Sequence, residues 1–414
     1  MGRQTLYVGR SRTLKLINAL GKTCKTIGLD PFRLNADDMI RKAQQKAGFS
    51  QNLPQVEEGL RIMVKSINDE AMMNSFGSMA IKNLLERTLY GRYKIEQVLA
   101  DDPSIEKTPV ENPVFIVGLP RTGTTILHNM LHEDPAHRSP LAWECLLPYP
   151  PATPETFHDN PQIRTIRKEF DQLFKLVPDF QKKHHMEALL PQECISIDAF
   201  DFNTIQIVAQ LYIPTYADWI SNHADRLATM RFHKRFLQYL QSGGVKSERW
   251  LLKTPMHLMR LPELFAVYPD AKLIITHRDP SVAIVSTAST LSSTRSLYTD
   301  HEDPHRTGRD QMEIWSIYFK RFLHNRKSLN RENQILDLKF ENFSTNFIQT
   351  AQMIYDHFGW DLPATTVDRF KSFLEKYPRN KFGIHEYTAE DFGLSRDLIN
   401  SKFTEYNEFL STLN

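Results

Sequence analysis

The stretch Val114-Phe115-Ile116-Val117-Gly118-Leu119-Pro120-Arg121-Thr122-Gly123-Thr124-Thr125-Ile126-Leu127 decides how the chain is read. Its first four residues form a short unbroken apolar run, the pattern of a strand buried on both faces of a parallel sheet. Gly118 to Thr125 follows as a loop, and Ile126, Leu127, Met130 and Leu131 then recur at helical spacing. Strand, loop and helix start in this order gather backbone N–H groups around one point, where the helix dipole adds positive potential. Gly123 lets the backbone approach an anion closely. Thr124 and Thr125 offer hydroxyl donors, and Arg121 offers a permanent planar cation suited to phosphate oxygens.

The two glycines have the spacing of a Walker A loop. That motif needs Lys directly after the second Gly, then Ser or Thr for magnesium. Thr124 stands at the Lys position, and the cation is Arg121, on the other side of Gly123. The loop therefore reads as an anion site unlike that of a nucleoside triphosphatase. The plain alternative is an ordinary glycine-containing turn, against which Arg-Thr-Gly-Thr-Thr concentrates anion-binding residues at one helix start.

Outward from this loop the chain alternates. Trp250-Leu251-Leu252, Leu273-Ile274-Ile275 and Ile335-Leu336-Asp337-Leu338 read as further buried strands, with helical stretches at 162–176, 226–241, 258–267 and 310–329. Strands separated by helices predict an α/β fold, a P-loop-like parallel β-sheet flanked by helices. Upstream, Asp37 and Asp38 start a helix that Gly48 stops, and 56–73 and 77–99 carry apolar positions at mixed three and four spacing. Residues 1–105 thus read as a helical N-terminal layer packed on a domain 106–414, with 101–113 as linker. The proline-bearing 140–161 reads as an ordered wrapping loop. Residues 290–309, rich in Ser, Thr, Asp, His and Arg, read as a lid.

The 414 residues are 41% hydrophobic and 24% charged, with net charge +2. That excludes disorder and gives no global basic field for nucleic acid. Cys24, Cys145 and Cys194 lie far apart and fit neither a disulfide framework nor a C-x-x-C metal pattern. No apolar run approaches the roughly 20 residues that span a bilayer. The basic N-terminus is interrupted by Lys15 and Asn18, and Leu6 stands where a myristoylation signal wants Ser or Thr. The expectation is a cytoplasmic protein with reduced thiols. A membrane-surface role for 12–28 is the minor alternative.

Pro120-Arg-Thr-Gly-Thr-Thr125 after an apolar strand resembles the 5'-phosphosulfate loop of sulfotransferases that use PAPS (3'-phosphoadenosine 5'-phosphosulfate). Cytosolic members carry Lys where this chain has Arg121. Protein-tyrosine sulfotransferases carry Arg, as does a broad, mostly bacterial group often called sulfotransferase family 3. The resemblance is closest to that group and runs from about Asp37 to the C-terminus on scattered motifs. It implies donor binding by Pro120, Arg121, Thr122, Gly123, Thr124 and Thr125.

A second motif, Leu273-Ile-Ile-Thr-His-Arg-Asp-Pro280 running on to Ser286, matches the family's strand, Arg and Ser eight residues later. It implies that Arg278 and Ser286 hold the 3'-phosphate. His277-Arg278-Asp279 also mimics a kinase catalytic loop, but Ile284 stands where that loop needs Asn. Lys253, ending the strand 250–252, matches a family lysine near the leaving group. Leu338–Phe343 and His357–Trp360 match structural motifs. Lys381–Leu394 resembles a C-terminal segment that implies a donor contact from Lys381.

Sulfuryl transfer is a loose in-line displacement governed by positioning and charge, and this scheme requires no metal. Arg121 would stabilise the leaving group, with Lys253 beside it. The acceptor needs a base. Glu144 is the first candidate, by resemblance to the glutamate of tyrosylprotein sulfotransferases; His184, His185 and Glu193 are the others, and His128 reads as packing. The partners implied are PAPS and a small-molecule, lipid or carbohydrate acceptor, with homo-oligomerisation left open. Residues 180–220, the proline-rich loop and 290–309 would line the acceptor pocket, with Phe200, Phe202, Tyr212, Tyr216 and Trp219 as apolar walls. A P-loop kinase or triphosphatase, and a nucleotide-binding scaffold without turnover, are the competing classes.

Overall fold

The computed structural model describes residues 9–26, 33–177, 186–377 and 387–413. His184, His185 and Lys381 lie outside them. The described residues form a five-stranded sheet: β1 (Val114–Gly118), β2 (His137–Arg138), β3 (Arg249–Lys253), β4 (Lys272–His277) and β5 (Ile335–Lys339). The order is β2-β3-β1-β4-β5, and every neighbouring pair is parallel. Successive residues alternate between two hydrophobic clusters. Phe115, Val117, Leu252, Leu273 and Ile275 face one, and Val114, Ile116, Leu251 and Ile274 face the other. Helices cover both faces, which is why these strands are apolar throughout.

Register sets where a ligand can bind. Ile116 pairs with Lys253 and Gly118 with Thr276. The ends of β1, β3 and β4 therefore lie along one edge. From β1 the chain runs through the helix Thr124–His132 toward β2 and β3, then crosses back to β4 on the other side of β1. The loop after β1 emerges where the connections diverge, the usual crevice of an open parallel sheet.

The N-terminal helices follow the sequence pattern. Ala36–Ala47 is capped by Asn35, whose side chain accepts from Asp38 N–H, and it stops at Gly48 with φ 72°. Pro54–Glu70 and Ser75–Asp101 bury Leu60, Met63, Val64, Leu85 and Leu89 in the same core as Phe115 and Val117. Arg12–Thr26 buries Leu14 and leaves Leu16 and Leu20 exposed. Among the described residues no helix is long and apolar enough to cross a membrane.

Two expectations need correction, and one strand was not anticipated. The lid assigned to 290–309 is largely helical: one helix runs Pro280–Tyr298 and the next begins at Pro304, with Asp303 accepting from the N–H groups of His305 and Arg306. Its polar composition does not break the helix because the hydroxyls bond back one turn, Thr290 to Ser286 O and Thr294 to Thr290 O. The helix expected at 258–267 starts at Leu261, after a 3-10 segment, Pro255–Met259. β2 has two residues, too few for a periodic signal.

Candidate functional site

The loop after β1 has a strained backbone. Gly123 has φ 83° and Arg121, a non-glycine, has φ 70°. A Cβ on Gly123 would lie 2.7 Å from Phe343 Cζ and 2.9 Å from the Phe340 ring, so only glycine fits. Thr122 is buried and donates to the carbonyl of Leu119 at 2.7 Å, with its Oγ1 2.6 Å from Thr276 Oγ1. Its hydroxyl thus pins the loop to β4 instead of facing a ligand. No side chain caps the helix Thr124–His132. Its first amides have no intrahelical acceptor, which leaves them for an anion.

The segment after β4 closes on this loop. Arg278 Nη1 donates to the carbonyl of Arg121 at 2.8 Å, and Arg121 Nε donates to Ser286 Oγ at 3.2 Å. The Arg278 guanidinium lies 4.2 Å from the centre of the Phe340 ring, the same ring that closes against Gly123. Arg121, Arg278 and Ser286, distant in sequence, therefore meet at one place. Phe340 joins them, although its motif reads as purely structural in the sequence.

On the β3 side, Lys253 is buried. Its Nζ pairs with the Glu193 carboxylate and donates to Thr125 Oγ1 at 3.3 Å. A buried lysine needs such a partner. The N–H of Cys194 donates to Lys253 O at 2.9 Å, which brings Glu193 to the end of β3. Glu193, Thr125 and Lys253 thus stand together beside the loop after β1.

Glu144 does not. It is fully buried, accepting from Arg138 Nη2 at 3.0 Å and from Leu141 N–H at 3.0 Å. Burial pushes its carboxyl above the ordinary range, opposed by Arg138. It fixes the helix Ala142–Leu146, and the expectation that it faces a substrate is corrected. His128 is also buried, with Nε2 3.1 Å from Ser139 Oγ and 3.2 Å from Leu251 O. Desolvation, with Lys253 nearby, lowers its pKa well below the usual imidazole value.

A cavity of about 290 Å³ opens from the loop. Pro120, Arg121, Thr124, Thr125 and Glu193 line its polar end. Ile195, Ile205, Val208, Leu291, Ile314 and Trp315 give it apolar walls, with Ser221, Gln311 and Tyr318 among them. Phe200, Phe202 and Tyr216, expected as walls, are core residues. Their composition marked them as apolar but not which way they face. Tyr212 packs against Arg306, 3.8 Å from its guanidinium. Gln311, Trp315 and Tyr318 follow one helical face, and that spacing was the one signal available for them.

Cys194, His233 and His257 bring ligand atoms within 4.8 Å of one another, all buried. Arg260 Nε donates to His257 Nδ1 at 3.2 Å, which puts the ring proton of neutral His257 on Nε2. A metal there would have to displace that proton beside a guanidinium, so the donor set fits a cation poorly.

Residues 113–364 match a family model described as the sulfotransferase family. The omega-hydroxy-beta-dihydromenaquinone-9 sulfotransferase Stf3 of Mycobacterium bovis is 27% identical over 335 residues, covering 77% of this chain and 79% of that one. The crystal structure of sulfotransferase STF9 from Mycobacterium avium superposes with a TM-score of 0.82 at 28% identity, covering 92% of this chain and 97% of that one. Sulfotransferase STF1 from Mycobacterium tuberculosis gives 0.80 at 26% identity, covering 91% of this chain and 100% of that one.

Proposed function

Since the chain belongs to the sulfotransferase family and is an enzyme of sulfuryl transfer, we propose that its donor is PAPS and its acceptor an alcohol with an apolar body. The observation that carries this reading is the joining of two anion sites by the Arg278 to Arg121 bond. PAPS has two phosphate-bearing ends. The uncapped helix Thr124–His132, with Pro120, Arg121, Thr124 and Thr125, suits the phosphosulfate. Arg278 and Ser286 suit the 3'-phosphate. Thr122 and Gly123 shape the loop and contribute through their backbone.

The acceptor hydroxyl enters from the apolar cavity at Glu193. Glu193 takes its proton as the acceptor oxygen bonds to sulfur. The bond between sulfur and the phosphate oxygen breaks on the opposite side. Arg121, Lys253 and the helix amides meet the charge that grows on the departing phosphate. Lys253 spans both halves of the reaction through Glu193 and Thr125. Cys145 and Cys194, both buried free thiols, suit a cytoplasmic location.

The test is incubation of the full chain with radiolabelled PAPS and a panel of apolar alcohols. Label on an organic product, formed one for one with adenosine 3',5'-bisphosphate, is expected. Label confined to inorganic sulfate across the panel contradicts the acceptor class.

A further inference from the structure

Away from the loop residues Arg121, Thr124 and Thr125, the hydrogen-bond inventory of the cavity walls leaves the donor of Gln311 over. Thr287 and Thr290 spend their hydroxyl protons on Ala283 O and Ser286 O, at 2.8 and 2.9 Å. Ser221 donates to Ala217 O at 2.9 Å, so Tyr318, 3.1 Å from Ser221 Oγ, is the donor of that pair. Gln311 is different. The Trp315 indole N–H, which can only donate, bonds to Gln311 Oε1 at 3.1 Å. That contact fixes which end of the amide is oxygen. The NH2 end has no protein partner among the described residues, yet Gln311 is 5% exposed and lines the cavity. The amide nitrogen is not among the sealed, unpartnered polar atoms of the interior, so its two hydrogens open into the cavity, where an oxygen of a ligand can accept from them.

Its place is also informative. His277, just before the helix Pro280–Tyr298, shares Tyr406 with Phe319, while Arg295 near that helix's end donates to Thr307 at 3.0 Å. The helices Pro280–Tyr298 and Pro304–Leu329 therefore run in opposite senses. Gln311 lies beside the outward half of the former, beyond Ser286 and away from the phosphate loop.

We propose that Gln311 determines acceptor specificity by donating its amide N–H to a carbonyl oxygen on the apolar body of the acceptor. The preferred substrate is then an apolar alcohol with a carbonyl group remote from the reacting hydroxyl. This rests on the cavity being the acceptor site of the proposed reaction.

The experiment measures binding to the full chain saturated with adenosine 3',5'-bisphosphate, by calorimetry. The probes are 4-acetylbenzyl alcohol and 4-isopropylbenzyl alcohol, which share a shape and differ in the carbonyl oxygen. The acetyl compound is expected to bind roughly tenfold more tightly. In Gln311→Glu, which keeps an acceptor for Trp315 and removes the donor, the preference is expected to vanish or reverse. Gln311→Leu is a second variant, and both should bind the bisphosphate as the unaltered chain does. Equal binding of the two alcohols, a preference that survives both substitutions, or no binding of either alcohol overturns the proposal. Failure to bind the bisphosphate overturns the donor reading instead, so the two failures are distinguishable.

Discussion

Arg278 donates to the carbonyl oxygen of Arg121 at 2.8 Å, so the cation after β4 holds the loop after β1. The two proposed anion sites are thereby one mechanical unit. Arg278→Ala should lower affinity for adenosine 3',5'-bisphosphate by about 10- to 100-fold, the worth of charged hydrogen bonds. Arg278→Lys should recover only part of it, since an ammonium lacks the planar fork that lies over Phe340. Calorimetric titration measures both. A loss under about threefold for Arg278→Ala contradicts the assignment.

The two glutamates should separate by what they lose. Glu193→Gln is expected to cut sulfuryl transfer by about 10²- to 10⁴-fold, the worth of a general base. Its bisphosphate affinity should hold. Glu144→Gln should instead destabilise the fold by up to about 3–5 kcal/mol, because it leaves Arg138 buried without its counter-charge. Its turnover per folded molecule should stay near that of the unaltered chain. The opposite pattern in transfer assays and melting curves would restore Glu144 as the base.

Two left-handed glycines provide a matched pair. Gly123→Ala meets both a φ of 83° and the Phe340 and Phe343 rings. It should lose bisphosphate binding together with about 1–3 kcal/mol of stability. Gly359 has φ 68° with nothing within 4 Å of an added Cβ. Gly359→Ala should cost only about 1–2 kcal/mol of backbone strain and leave binding intact. Intact binding in Gly123→Ala would mean that the loop backbone does not shape the site.

Much of this architecture was legible because the signals were local. β1, β3, β4 and β5 are short apolar runs that end at polar or glycine residues, and the Arg278 to Ser286 spacing survives as a motif. What was not legible depends on tertiary contacts. Glu144 and Glu193 both follow the loop in sequence. Which one reaches it is decided by the bond from Cys194 N–H to Lys253 O, 59 residues away along the chain. The residues 290–309 look like a loop by composition, and only hydroxyls bonding back along the helix reconcile them with helical structure. Aromatic content flagged 200–219 as a wall, but the direction each ring faces is set by packing.

Acid stability should follow the buried histidines. Burial holds His132 and His137 down to about 4 and His233 to about 3, puts His128 and His257 well below the usual value, and lowers His277 as well. The unfolded chain protonates these rings near pH 6.5, and the folded chain does so only at much lower pH. Between those values the unfolded state binds more protons, so stability falls as pH drops below about 6.5. Asp198, raised to about 6 by burial, and Glu144, Glu133 and Asp310, also raised by burial, pull the other way and make the slope shallower than the six histidines alone would give. Chemical denaturation at a series of pH values should show a fall of more than about 1.4 kcal/mol per unit near pH 5. A flat profile from pH 7 to 4.5 contradicts it.

The proposed clamp for a 3',5'-bisphosphorylated adenosine joins the loop around Arg121 to the Arg278 and Ser286 pair. The most direct test is calorimetric titration of the full chain with adenosine 3',5'-bisphosphate, adenosine 5'-phosphate and Mg-ATP. The expected result is tight binding of the bisphosphate without magnesium, at least about tenfold weaker binding of the other two, and loss of that selectivity in Arg278→Ala. Equal affinity for Mg-ATP, or no binding of the bisphosphate, would contradict it.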